Sequence, residues 1–148
     1  DGAMLLKFDK GASGVLIASQ VAAGEENNLK IRVYGEKGGL EWSQQEPNTL
    51  IVKWLDAPAQ VYRTGNGYLS DVAKINTRTP GGHPEGYLEA FANLYKNFVF
   101  TLSAKLNQET IDPLWDFPDV EDGVRGMAFI ENVVASSQSE QKWWDFVV

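Results

Sequence analysis

An α+β domain is predicted: an open, mostly antiparallel sheet of about six strands with helices packed on one face. Two observations lead there. Up to Arg63, β-branched and aromatic residues cluster between breaks rich in Gly, Asn and Pro, and the connections are too short for crossovers. After that the apolar residues recur every three or four positions, which is the helical period.

The elements follow in order. Ala3-Met4-Leu5-Leu6-Lys7-Phe8 is a short apolar run, and the turn Asp9 to Gly14 returns the chain through Val15-Leu16-Ile17-Ala18-Ser19-Gln20-Val21, which predicts a hairpin. Leu29, Ile31 and Val33 alternate with Lys30, Arg32 and Tyr34, as in a half-buried strand. Gly35-Glu36-Lys37-Gly38-Gly39 is a turn of the kind that uses positive φ, and it leads into the short strand Leu40-Glu41-Trp42. Thr49–Trp54 and Gln60–Arg63 supply two more strands.

Thr64 to Gly82 reads as the longest irregular stretch, interrupted by a short helical candidate at Ser70 to Ile75. Long loops in compact domains carry function more often than other segments do. Pro84 sits where a first-turn helical proline belongs, and Leu88, Phe91, Tyr95, Phe98, Val99, Leu102 and Leu106 follow as an apolar face. A second long helix should begin after Pro118, with Asp119 as N-cap, Asp122 three residues on and Glu121 favouring the positive helix end. Its apolar face would be Val120, Val124, Met127, Ile130 and Val134, and the tail Trp143–Val148 would form a last edge strand. With the helices on one sheet face, the other, rich in apolar residues including Trp42 and Trp54, calls for a partner.

Composition narrows the function. The 148 residues, 43% hydrophobic and 22% charged, suit one globular domain spanning 1–148. A net charge of −7 disfavours nucleic acid and anionic membranes, because phosphate binding depends on Lys and Arg releasing counterions. The absence of Cys removes disulfides, thiolate nucleophiles and Cys-ligated metals, and a single His cannot complete a His-based metal site. No apolar run reaches the ~20 residues of a membrane helix and the opening lacks a signal-peptide pattern, so a cytoplasmic location is expected.

No dinucleotide, phosphate-loop, zinc-protease or serine-hydrolase signature occurs. The glycines at 35–39 precede no helix that could bind an anion, so they read as a hairpin turn. His83, the one side chain that ordinarily titrates near neutrality, lies between Gly82 and Pro84; it is either a ligand contact or a helix-entrance residue satisfied by backbone or water. Tyr87 follows one helical turn later, where it can share a cleft with His83 or join the core. Arg78, on the adjoining loop, can meet an anion or a hydroxyl. The acidic residues Asp112, Asp116, Asp119, Glu121 and Asp122 lack calcium-loop spacing and read as capping and solvation. No catalytic residue and no metal ligand is assigned.

The stretch from Gly82 to Tyr95, Gly-His-Pro-Glu-Gly-Tyr-Leu-Glu-Ala-Phe-Ala-Asn-Leu-Tyr, resembles the C-terminal domain of the glucose–fructose oxidoreductase/inositol dehydrogenase (Gfo/Idh/MocA) family. So do Ala18–Gly24 with Asn28-Leu29, Val33–Trp42, and Asp116-Phe117-Pro118 leading into Glu121–Met127, which together cover nearly the whole chain in order. The resemblance implies an oxidoreductase in which a preceding Rossmann domain binds NAD or NADP. The family's Glu-Lys-Pro lysine and Asp-x-x-x-His motif are absent from these residues, and His83 is not that histidine. These residues would then be the substrate-binding and dimerisation domain, inactive and cofactor-free alone. They would contact a sugar, inositol or related polyol through His83, Tyr87 and Arg78, and pair with a second copy through the outer sheet face. The alternative is a free-standing α+β carbohydrate-binding module that stacks its ligand on Trp42, Trp54 or Tyr68, or a dimerisation module without a ligand.

Overall fold

In the computed structural model, which describes all 148 residues, six strands precede three helices. The strands are β1 (Gly2–Lys7), β2 (Ser13–Ala18), β3 (Lys30–Tyr34), β4 (Gly38–Ser43), β5 (Thr49–Trp54) and β6 (Gln60–Arg63). The helices are α1 (Asp71–Ile75), α2 (Tyr87–Leu106) and α3 (Val120–Gln138). The α+β class and the six antiparallel strands agree with the sequence, but the strands form two sheets, of two and four strands, instead of one. Two compact units result, residues 1–26 with 118–148 and residues 27–117.

In the first unit, β1 and β2 pair from Gly2↔Ala18 to Lys7↔Ser13. Phe8 N donates to Ala12 O (2.9 Å) and Gly11 N to Phe8 O (2.9 Å), closing a turn in which Gly11 has φ +89°. α3 starts where the sequence places it. Asp119 Oδ1 accepts from Glu121 N (2.8 Å) and Asp122 N (3.1 Å), while Asp122 Oδ2 accepts from Asp119 N (3.0 Å), so the exposed donors of the first turn are satisfied reciprocally. The tail is not the predicted strand, because the side-chain amide of Asn132 takes over the pairing. Its Nδ2 donates to Ala128 O (2.7 Å) and Val147 O (2.8 Å), and its Oδ1 accepts from Val147 N (3.2 Å) and Trp144 Nε1 (3.1 Å).

In the second unit, β3-β4-β5-β6 form a meander whose register aligns Ile31, Trp42, Leu50 and Tyr62 in one row and Val33, Leu40 and Val52 in the next. Pleating puts both rows on one apolar face. The opposite face carries Arg32, Glu41 and Lys53, with Arg32 Nε 3.7 Å from Glu41 and Lys53 bonded to the same carboxylate. The Lys53 hydrogen bond, aided by the nearby cations, holds the Glu41 carboxyl below its usual range. β3 is not half-buried as its alternation suggests: Ile31 and Val33 are exposed, since β3 is an edge strand and nothing lies over its apolar side.

α2 begins three residues later than Pro84 implies. Glu85 is tied by backbone and side chain to other segments, and Gly86 becomes the N-cap, its N–H donating to Glu89 Oε2 (2.9 Å). The face expected to be apolar and buried, from Leu88 to Leu106, is exposed. The buried stripe is Asn93, Asn97 and Ala104, the last two 2% exposed. Along it, residues 107–117 fold back on the helix: Glu109 N donates to Ala104 O (2.8 Å), Asn97 Nδ2 to Asp116 O (2.9 Å), and Phe98 meets Phe117 edge-on at 5.6 Å. Gln108, at φ 58°, makes the left-handed turn that ends the helix. No helix is long and apolar enough to cross a membrane.

Candidate functional site

The irregular segment 64–86 is held in place by side chains that satisfy its backbone. A carboxamide can donate and accept at once, so it pairs with a peptide group as another peptide would. Asn48, just before β5, does this to Glu85: its Oδ1 accepts from Glu85 N (3.0 Å) and its Nδ2 donates to Glu85 O (2.8 Å), while Thr64 Oγ1 also donates to Oδ1 (2.9 Å). The Glu85 carboxylate reaches back to accept from the backbone N–H groups of Arg78 and Thr79. Gly65, at φ +75°, lies against residues 79–81, where an added Cβ would come within 2.6 Å of Gly81 N. Only glycine fits that crossing.

Arg78 and His83 therefore sit on one tethered segment and Tyr87 opens the helix that follows it, but no hydrogen bond joins their side chains. Arg78 donates from Nε and Nη2 to Asn93 Oδ1, both at 3.2 Å. His83 Nδ1 lies 3.3 Å from Pro80 O, and Thr79 Oγ1 donates to His83 O (2.8 Å). The Tyr87 ring packs against Phe91 at 4.7 Å yet stays 64% exposed. All three side chains are open to solvent. A hollow of about 280 Å³ is lined by Gly65, Asn66, Gly67, Leu69, Lys74, Thr77 and Thr79, and none of Arg78, His83 and Tyr87 is part of its wall.

Sequence reasoning missed two of the residues that build this arrangement, Asn48 and Asn93. Asn93 and Asn97 did leave a signal, as paired amides four residues apart inside a helix otherwise rich in aromatic and aliphatic residues. Glu89 behaves as a cap. The Gly86 N–H and then its own N–H hold its carboxyl below the ordinary range, against an opposing effect of burial, with Arg78 contributing last.

The three aromatics suited to stacking differ. Trp42 is half-buried, with Nε1 donating to Pro47 O (3.0 Å). Tyr68 sits edge-on against Tyr62 at 5.3 Å, its Oη accepting from Arg63 N (2.9 Å). Trp54 is 43% exposed beside a hollow of about 480 Å³ that also touches Val33, Leu40 and Val52. Gly38 faces Trp54 across the strands, where a Cβ would collide with the Lys53 carbonyl oxygen. These glycines serve strand approach. They precede no helix N-terminus, so the residues here do not fit a dinucleotide's phosphates. No group of three or more His, Cys, Asp or Glu side chains gathers to hold a metal ion.

Comparison with known proteins gives a consistent result. A family model described as "Oxidoreductase family, C-terminal alpha/beta domain" matches residues 2–145. An uncharacterized oxidoreductase of Bacillus subtilis (strain 168), YfiI, is 34% identical over 145 residues, which are 97% of this chain and 37% of that protein. Among solved structures, an inositol dehydrogenase homologue from Azotobacter vinelandii, complexed with NADH and myo-inositol, is 34% identical with a TM-score of 0.87, over 98% of this chain and 38% of that one. An oxidoreductase from Sinorhizobium meliloti is 40% identical with a TM-score of 0.82, over 93% and 37%. The chain thus spans under two-fifths of the length of these relatives.

Proposed function

The chain belongs to the Gfo/Idh/MocA oxidoreductase family as its C-terminal α/β domain, and from that premise we propose that it is one substrate-facing, self-associating domain of a nicotinamide-dependent enzyme acting on a sugar, inositol or related polyol. The observation that carries this reading is the likeness to the Azotobacter homologue solved with NADH and myo-inositol. Arg78, His83 and Tyr87 are the contacts to the polyol, on and directly after a segment tethered through Asn48 and Glu85. NAD or NADP binds outside these residues, so this chain alone turns nothing over. The open apolar face around Ile31, Val33 and Trp54 pairs with a second copy, because an exposed face of that kind gains by burial.

Two measurements test the reading. In light scattering across a dilution series, the dimer should persist to low micromolar concentration; a strict monomer would remove the self-association part. In thermal-shift assays against a panel of inositols and sugars, a ligand at 100 times its Kd should add about 2.7 kcal/mol. Stabilisation by none of them would remove the polyol part.

A further inference from the structure

We infer that Asn93 is a positioning residue that turns Arg78 into a preorganised donor fork for two neighbouring uncharged hydroxyl groups, so the ligand at this site is a neutral polyol and not a sugar acid or sugar phosphate. The inference rests on the reading of Arg78 as a polyol contact. An exposed arginine on a loop ordinarily samples many rotamers, and ordering it costs binding energy. Here two of its five N–H donors, on Nε and Nη2, are fixed on Asn93 Oδ1 at 3.2 Å. Asn93 is itself only 8% exposed, and its Nδ2 donates to Asn76 O at 2.6 Å, so the acceptor cannot swing away. The Arg78 backbone is pinned as well, by Glu85. The three remaining donors of this exposed residue's planar guanidinium have no hydrogen-bond partner in the fold, which leaves them free for two adjacent oxygen atoms.

Charge decides which oxygens. An anionic ligand wants an excess of positive charge, yet residues 70–96 balance Lys74, Arg78 and Lys96 against Asp71, Glu85 and Glu89. Neither Glu85 nor Glu89 forms an ion pair with the guanidinium, since both carboxylates are engaged by backbone N–H groups, but both remain close enough in the fold to oppose a second anion. Lys96 is already counted in that balance, and its ammonium is held away from the guanidinium's free side on Ile75 O (2.9 Å). A neutral acceptor holding the arginine, in a locally balanced field, favours hydroxyls.

The test is nitrogen-15 NMR of the full chain, following the Arg78 Nε–H resonance during titration with myo-inositol, glucuronate and glucose 6-phosphate. Myo-inositol should move that resonance at lower concentration than either anion, and Arg78→Lys, which keeps the charge and loses the fork, should weaken binding about tenfold. Asn93→Ala should collapse the Nε–H signal into rapid solvent exchange before any ligand is added. If that variant fails to fold, Arg78→Lys still decides. Tighter binding of an anion overturns the inference. So does a polyol that moves other resonances and leaves Arg78 unmoved, while the polyol reading itself stands. If no probe moves any resonance, both fail.

Discussion

At the scale of single residues, the side chains that organise this protein are short and polar. Glu89 shows how one of them couples the fold to pH. Because its folded-state pKa is held down by the Gly86 N–H, its contribution is present above the pKa of an unfolded glutamate and is lost as pH falls through the lower folded value. Acid unfolding of Glu89→Gln should therefore differ from wild type at neutral pH and converge with it in strong acid; parallel curves over the whole range would show that the cap carries no such linkage. The individual residues that set the candidate site were the least legible part of the sequence. Arg78, His83 and Tyr87 stood out by chemical type, whereas Asn48 lies thirty-seven positions from the Glu85 backbone it binds, and no local pattern reports a contact of that span.

Elements were legible in proportion to how local their causes are. β5 and β6 fall where alternation and turns placed them, and α3 starts at its predicted cap. Replacing Asp119 by Ala should cost about 1 kcal/mol, read as a lowered denaturant midpoint at unchanged slope. No change in the midpoint would mean that water caps this end equally well. α2 is the helix its spacing predicts, but it buries a different face. Its periodicity is real, but the segment 107–117 covers Asn97 and Ala104 while residues 76–78 cover Asn93, and that choice is made by chain folding beyond the helix. The tail failed for a related reason: Trp143–Val148 has strand composition, yet Asn132 satisfies the backbone of Val147 before any strand does.

At the scale of the whole molecule, exposed apolar surface dominates. The solvent-accessible surface is 12129 Å². Two separate compact bodies of the sizes of the two units would expose only about 9,000 Å² between them. The excess includes aromatic and aliphatic side chains of α2 and β3, so the isolated chain should bind a hydrophobic dye such as ANS, and self-association should reduce that binding as concentration rises. Dye fluorescence per chain that is constant with concentration would mean that these faces stay uncovered. Each unit also closes one of its loose segments with the same device, a side-chain amide clasping a backbone peptide group, Asn48 on Glu85 and Asn132 on Val147. Such a clasp has a chemical lifetime. Hydrolysis of the amide releases ammonia and leaves a carboxylate, which sets oxygen against the carbonyl that Nδ2 had served, so storage can loosen each unit of this protein without breaking its chain.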